Sequence, residues 1–254
     1  ERFGGIARLY GEATLLHFQQ SRVCVIGIGG VGSWTAEALA RSGIGHLTLI
    51  DMDDVCVTNT NRQVHAHDGN YGKPKIEAMR QRLLTINPEL DIDARFDFLT
   101  PDNLLQHITP DLDVIIDAID SMKPKMALMN YCRRNKRKII TVGGAGGQTD
   151  PSRIAISDLS TTEQDPLLAK LRRELRTHCG FPKVGKGKFG IDAVYSDEPV
   201  KFPVVCATDG QASAIKLDCN GGLGASTCVT ATFGMVAASR ALAILAKQVS
   251  KRPD

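Results

Sequence analysis

Two periods of apolar and polar positions alternate along the chain. Arg22-Val23-Cys24-Val25-Ile26 is a short β-branched run, followed at once by Gly27-Ile28-Gly29-Gly30-Val31-Gly32. From residue 33 to 42 apolar and small side chains (Trp34, Ala38, Leu39) recur at helical spacing until Gly43, and His46-Leu47-Thr48-Leu49-Ile50-Asp51 reads as the next strand. Strand, glycine turn, helix and strand make a βαβ unit, which implies parallel strands and a right-handed crossover. Pro74 then stands where a first helical residue is favoured, and a helical period runs on until Asn87-Pro88 ends it. Residues 92–96 predict a strand, 101–107 a short helix, 124–135 a longer helix and 138–142 another strand. Asp113-Val114-Ile115-Ile116-Asp117 is apolar on both faces, as a strand covered on both sides must be. The prediction is a doubly wound, mostly parallel α/β sheet of the Rossmann-like kind.

Past Gly143 the pattern changes. Gly143-Gly144-Ala145-Gly146-Gly147 predicts a loop or a strand with close backbone approach, residues 153–157 a strand, and 166–177 a charged surface helix. Residues 180–190 are rich in Gly and Lys without periodicity and are expected to be mobile. Tyr195, Phe202 and Val204-Val205 suggest further short strands, and residues 225–249 a closing helix.

Composition narrows the class. With 254 residues, 43% of them hydrophobic and 23% charged, this is an ordinary globular chain, neither disordered nor fibrous. A net charge of +3 is too small to argue for a nucleic-acid partner, so the position of the charges has to decide. The seven cysteines include no C-x-x-C pair, which speaks against a disulfide scaffold and against a four-cysteine zinc site. With no apolar signal segment among the first residues, an intracellular, reducing, cytoplasmic setting is expected. Residues 229–246 approach the length of a membrane span, but Arg240 lies well inside them, at an insertion cost of about 2.5–3.5 kcal/mol. A core or dimer-interface helix of small alanines explains the same residues better than peripheral or C-terminal membrane association.

The candidate chemistry begins at the glycine turn. Gly27, Gly29 and Gly32 have dinucleotide-fingerprint spacing between a strand and a helix, where backbone and helix N-terminus can meet a phosphate. Asp51, at the end of the second strand, can accept from ribose hydroxyls. A nicotinamide cofactor is the default for such a turn. Three features favour a triphosphate instead: the extra Gly30, the polar run from Asp51 through Asp53, Asn59 and Arg62 to Gln63, and Lys75 together with Asp117 and Asp120. Arginine grips phosphate oxygens as a fork, lysine as a point charge, and a carboxylate holds magnesium.

These motifs in this order resemble the ThiF/MoeB branch of the ubiquitin-activating-enzyme superfamily, whose members use ATP to adenylate carboxylates. The resemblance covers residues 22–147. By position it implies that Gly30 lies under the phosphates, that Asp51 holds the ribose, that Asn59 and Arg62 reach the triphosphate, that Lys75 is the phosphate lysine and that Asp120 places Mg. It implies catalytic roles for Arg62, Lys75 and Asp120. The chain departs from ThiF and MoeB in lacking their two zinc-binding C-x-x-C pairs, and no cysteine sits in a thioester-forming motif. Residues 51–62, Gly143 to Gln148, Lys186-Gly187-Lys188 and Val229-Thr230-Ala231-Thr232-Phe233-Gly234 resemble more narrowly the subfamily of tRNA threonylcarbamoyladenosine dehydratases. That resemblance implies ATP-dependent cyclisation of the threonylcarbamoyl group on the adenosine next to the anticodon of tRNA, with net loss of water. The alternative it leaves is adenylation of the C-terminal glycine of a ubiquitin-like sulfur-carrier protein, a partner not expected here. The subfamily further implies a homodimer and cooperation with a cysteine desulfurase and its sulfur-acceptor protein.

On this reading residues 1–145 form the ATP-binding half, and residues 146–254 form the half for substrate, tRNA and dimerisation. Lys170, Arg172, Arg173 and Arg176 on one helix, with Lys183, Lys186 and Lys188 on the following loop, are the candidate tRNA contact. Arg133, Arg134, Lys136, Arg137 and Lys138 read as a solvated face. Arg8 is a candidate for reaching the ATP of a partner subunit. Cys179 is the most plausible exposed thiol, and His65-Ala66-His67 is expected at the surface.

Overall fold

The computed structural model describes residues 1–202 and 223–250. Its strands are β1 (Arg22–Ile26), β2 (His46–Ile50), β3 (Asp91–Arg95), β4 (Val114–Asp117), β5 (Ile139–Val142), β6 (Ile154–Asp158) and β7 (Asp192–Ser196). They form one seven-stranded sheet in the order β3-β2-β1-β4-β5-β7-β6, parallel throughout except for the antiparallel edge pair β6 and β7. The helices are α1 (Gly4–Tyr10), α2 (Glu12–Gln20), α3 (Gly32–Arg41), α4 (Lys75–Ile86), α5 (Leu104–His107), α6 (Met122–Arg134), α7 (Pro166–His178) and α8 (Thr227–Val249).

Strand alternation divides the core between the two faces of the sheet. Val23, Val25, Leu47, Leu49, Val114 and Ile116 pack with Leu39 of α3, Met79 of α4 and Phe233 of α8. Cys24, Ile26 and Ile115 point the other way, onto Leu104 of α5, Leu128 of α6 and Leu171 of α7. This is the doubly wound arrangement that the sequence predicts. The change of pattern near residue 145 falls between β5 and β7, which are neighbours in the same sheet.

α8 has the length and apolarity of a membrane span, with a mean hydropathy of 1.6 over its best window, yet half of that window is buried in the fold. It packs on α2, α3 and the sheet, and Arg240 forms a two-pronged ion pair with Asp192 of β7, at 2.7 and 3.0 Å. At the crossing with α3, a Cβ on Gly234 would stand 2.7 Å from the Val31 carbonyl oxygen and 2.8 Å from Trp34 Cβ. Gly234→Ala gains about 1 kcal/mol of helix propensity, but overpacking at such a contact costs about 1–3 kcal/mol. The variant is expected to melt several degrees lower in calorimetry, and an unchanged or raised Tm would contradict the close crossing.

The sequence reading assigned no element to residues 1–20, where α1 and α2 form and rest on the rest of the fold through Phe18. Three expectations are corrected. His65 is not at the surface: it is fully buried, and burial, together with Lys75, Arg82 and His67, lowers its pKa to about 4, so it is neutral at physiological pH. The lysine-rich loop at 180–190 is anchored at both ends. Phe181 and Phe189 pack edge to face at 4.8 Å, Arg133 lies over the first ring and Arg176 over the second, and Asp158 accepts from Phe189 N and Gly190 N. Phe202 is exposed and lies outside any strand. Tyr195 does lie in β7, and Val204-Val205 falls outside the described residues.

Candidate active site

β1 runs between β2 and β4, whose connections leave in opposite directions. A crevice is expected at the carboxyl ends of such strands. A cavity of about 350 Å³ opens there, and Gly27, Gly29, Gly30, Asp51, Asp53, Asn59, Arg62, Lys75 and Asp120 all border it. Gly32 lies beneath the turn. A Cβ at that position would stand 1.8 Å from the Gly27 carbonyl oxygen, and Gly27 itself has φ +86°. Only glycines let the chain turn this tightly from β1 into α3, which aims the helix N-terminus at the cavity.

The Asp51 carboxylate ties the turn to β2. Its Oδ2 accepts from Ile28 N at 2.6 Å and its Oδ1 from Asp53 N at 2.8 Å. Burial pushes its pKa above the ordinary value, against the opposing influence of Lys75. Lys75, nearly buried at the start of α4, places Nζ 2.7 Å from Asp53 Oδ2, and its own N–H donates to the Asp53 carbonyl at 2.9 Å. The ammonium is thereby held at the rim by an exposed carboxylate.

Asn59 caps a short 3-10 turn, Val57–Asn59, by accepting from Cys56 N at 3.0 Å. Arg62 follows, with Nη1 donating to the Thr58 carbonyl at 2.8 Å. Its own carbonyl accepts from Trp34 Nε1 at 3.1 Å, and Thr227 Oγ1 donates to the Asn61 carbonyl at 2.6 Å. The arginine segment is therefore clamped between α3 and the start of α8. Asp120, just beyond β4, is exposed and has no hydrogen-bond or ion-pair partner among the described residues.

Among the described residues no group of three or more His, Cys, Asp or Glu could hold a metal ion. A single free carboxylate beside a phosphate-sized cavity suits Mg²⁺, which keeps its waters and binds through one or two carboxylates plus phosphate oxygens. The residues present thus fit both ATP and magnesium.

The other candidate residues divide. Lys170, Lys183, Lys186 and Lys188 are exposed and have no ion-pair partner among the described residues. Arg172 turns inward to donate to Thr162 Oγ1, Arg176 donates to the Pro182 carbonyl at 3.1 Å, and Arg173 pairs with Glu174. Arg137 is spent on the carbonyls of Thr109, Pro110 and Leu112. Arg8 is exposed on α1. Burial raises the Cys179 pKa, the opposite of what a thiolate nucleophile needs.

Two buried acidic groups stand behind loops that border the cavity: Asp117, which the sequence had offered beside Asp120, and Asp165, which it had not. Asp117 pairs with Lys125 in the interior, and Asp165 caps α7 by accepting from Leu168 N while its other oxygen accepts from Gly144 N in the glycine-rich loop. A signal for the Asp117–Lys125 pair existed. Lys125 occupies the apolar helical face shared by Leu128, Met129 and Cys132, where an ordinary surface lysine does not belong.

Comparison with protein families matches residues 5–253 to the ThiF family. The chain is similar to the tRNA threonylcarbamoyladenosine dehydratase of Escherichia coli (strain K12), 56% identical over 95% of this chain and 92% of that one. The Haemophilus influenzae enzyme of the same name is 53% identical, over 98% and 95% of the two chains. Among solved structures, the E. coli tRNA N6-threonylcarbamoyladenosine dehydratase in complex with ATP superposes with a TM-score of 0.90 at 52% identity, covering 99% of this chain and 96% of that one.

Proposed function

The chain belongs to the ThiF family, and on that premise we propose that it uses ATP to cyclise the threonylcarbamoyl group of the modified adenosine next to the anticodon of tRNA, the nucleoside losing the elements of water as its carboxylate oxygen leaves on AMP. The observation that carries this reading is the convergence of the glycine turn, Arg62, Lys75 and Asp120 on one cavity at the switch point of the sheet. Relatives of nearly full length share the activity by name, and one of them binds ATP in the same fold.

The chemistry suits those residues. A carboxylate resists nucleophilic attack because its charge is delocalised over both oxygens. ATP supplies the remedy by joining the threonyl carboxylate to AMP, with pyrophosphate as the group released. Arg62 and Lys75 stabilise the negative charge that builds on the departing phosphates, and Asp120 would hold a magnesium ion, which when bound would supply further charge neutralisation there. Asp51 orients the nucleotide through its ribose. The ureido group that closes the ring belongs to the same substrate molecule, and well-oriented intramolecular attack has effective molarities of about 10⁵–10⁸ M. The reaction therefore needs no cysteine nucleophile from the protein. Cys24 and Cys132 are consistent with this, since burial raises both thiols to about 12.

The rest of the assembly belongs to the same proposal. Lys170, Lys183, Lys186 and Lys188 grip the tRNA backbone, with Arg173 beside them. Arg172 and Arg176 support the helix and loop that carry these lysines. The ATP-binding residues lie in residues 1–145, while residues 146–254 serve tRNA and dimer contacts. Two copies associate through a surface that includes α1, α2 and α8, where Leu9, Leu16 and Met235 are exposed, and Arg8 reaches toward the partner's nucleotide. A cysteine desulfurase and its sulfur acceptor act alongside, and the tRNA substrate places the protein in the cytoplasm. Adenylation of a ubiquitin-like carrier is not favoured, because the zinc cysteines are missing and the near-full-length relatives are dehydratases.

The test is incubation with ATP, magnesium and tRNA bearing threonylcarbamoyladenosine, followed by mass spectrometry of the nucleosides. The modified adenosine should become lighter by one water only when ATP is present. ATP consumption with an unchanged nucleoside would overturn the assignment.

A further inference from the structure

Lys125 on α6 has no contact with solvent. Its side chain and that of Asp117 are both 0% exposed, and Nζ lies 2.7 Å from Asp117 Oδ2. The ammonium also donates to the main-chain carbonyls of Ile119 and Val142, each at 2.9 Å. An ammonium has three donors, so all of them are in use. The carboxylate is equally well met: Thr141 Oγ1 donates to Oδ2 at 2.7 Å, and Ile119 N donates to Oδ1 at 3.1 Å.

The partners lie on two loops that border the cavity. Ile119 immediately precedes Asp120, at the end of β4. Val142 ends β5 and leads directly into Gly143 and Gly144, which also line the cavity. One buried charge therefore fastens both loops to α6, and Asp165 extends the fastening by accepting from Gly144 N at 2.9 Å. Stability is a poor explanation for such a pair. Two charges removed from water regain their lost hydration only with difficulty, and an apolar side chain of similar volume often serves a core as well. An apolar side chain cannot, however, hold the Ile119 and Val142 carbonyls in place.

We propose that Lys125 is a positioning residue, which acts through the Ile119 carbonyl and Asp117 to aim Asp120 at the magnesium-bound nucleotide. The inference rests on Asp120 being the metal carboxylate. Lys125 touches neither substrate nor metal.

The experiment compares the full-length Lys125→Met, Lys125→Arg, Thr141→Val and Asp120→Asn proteins. Two quantities are measured: Mn²⁺ affinity in the presence of a non-hydrolysable ATP analogue, by electron paramagnetic resonance, and metal-free ATP affinity, by calorimetry. Loss of a group that orients a metal ligand typically weakens metal binding by about 10–100-fold. Lys125→Met should show a loss in that range with metal-free ATP binding unchanged, and Lys125→Arg should recover part of it. Thr141→Val, which removes one hydrogen bond to Asp117, should shift Mn²⁺ affinity in the same direction by less, and it carries the test if Lys125→Met does not fold. Unaltered Mn²⁺ affinity in Lys125→Met and Thr141→Val, beside a weakened Asp120→Asn, would overturn the positioning role alone. Unaltered Mn²⁺ affinity in Asp120→Asn would instead overturn the metal assignment on which the inference rests.

Discussion

Asp120→Asn should stop ATP consumption while leaving the protein folded. The side chain is exposed and has no partner among the described residues, so its replacement disturbs no hydrogen bond among them. Surface changes of this kind usually stay within about 0.5 kcal/mol of stability. At the triphosphate the arithmetic differs. A fixed group that meets charge developing in the transition state is worth about 2.7–4 kcal/mol of barrier, which is a hundredfold or more in rate. Asparagine keeps the shape of the side chain but not the negative charge that attracts magnesium. Arg62→Ala should have an effect of the same order. Its guanidinium borders the cavity, and its backbone is clamped by Trp34, so truncation removes the charge without moving the chain. Pyrophosphate release at saturating magnesium is the measurement. Near wild-type turnover of Asp120→Asn would refute its assignment as the metal carboxylate, and the same result for Arg62→Ala would remove it from the phosphate site.

Replacing Lys183, Lys186 and Lys188 together by alanine should have the largest effect on tRNA binding. The anchoring of their loop is what makes the prediction sharp. With Phe181 and Phe189 packed on each other beneath Arg133 and Arg176, the lysines are presented from a fixed base. Each phosphate contact contributes about 0.7–0.9 to the slope of log affinity against log salt. Losing all three lysines should therefore flatten the slope by about 2–3 and weaken binding most at low salt. ATP affinity should not change, because the lysines do not border the cavity. Phe189→Leu makes a useful contrast. It loosens the base but keeps every charge, so binding should weaken with the slope preserved. If the triple variant binds tRNA with the affinity and salt slope of the parent, the loop is a solvated surface and the RNA docks elsewhere.

Legibility in the sequence followed the range of the interactions involved. β1, β2, β4 and β5 were readable because a buried parallel strand must be apolar on both faces, and Val23 to Ile26 or Val114 to Ile116 can be little else. The glycine turn was readable because the backbone conformation it needs is local. Its consequences for Asp51 were readable because the second strand of a βαβ unit must return beside the first. Arg62, Lys75 and Asp120 were legible as side chains suited to a triphosphate and magnesium, but their individual roles needed the resemblance to a known family. Lys125 gave a signal only through the apolar helical face it shares, and His65 gave none, yet both are fully buried.

By itself, then, the sequence determined the doubly wound sheet, the place of the crevice and the cavity-bordering candidates of the first half. The first two follow from strand periodicity, glycine conformation and the handedness of βαβ connections, and the third from side-chain chemistry together with the family resemblance. Only the tertiary structure decided which charges are free to act. Arg172 and Arg176 share a helix with Lys170, but Arg172 turns to Thr162 and Arg176 to Pro182, while Lys170 faces solvent. Lys125 and Lys123 are two residues apart on α6, but only Lys125 meets Asp117 and the carbonyls of Ile119 and Val142. The reason is physical. Periodicity fixes the face of an element on which a side chain lies, whereas what that face meets depends on elements far away in the chain. What a charge can reach depends on the partners that the fold has already given it.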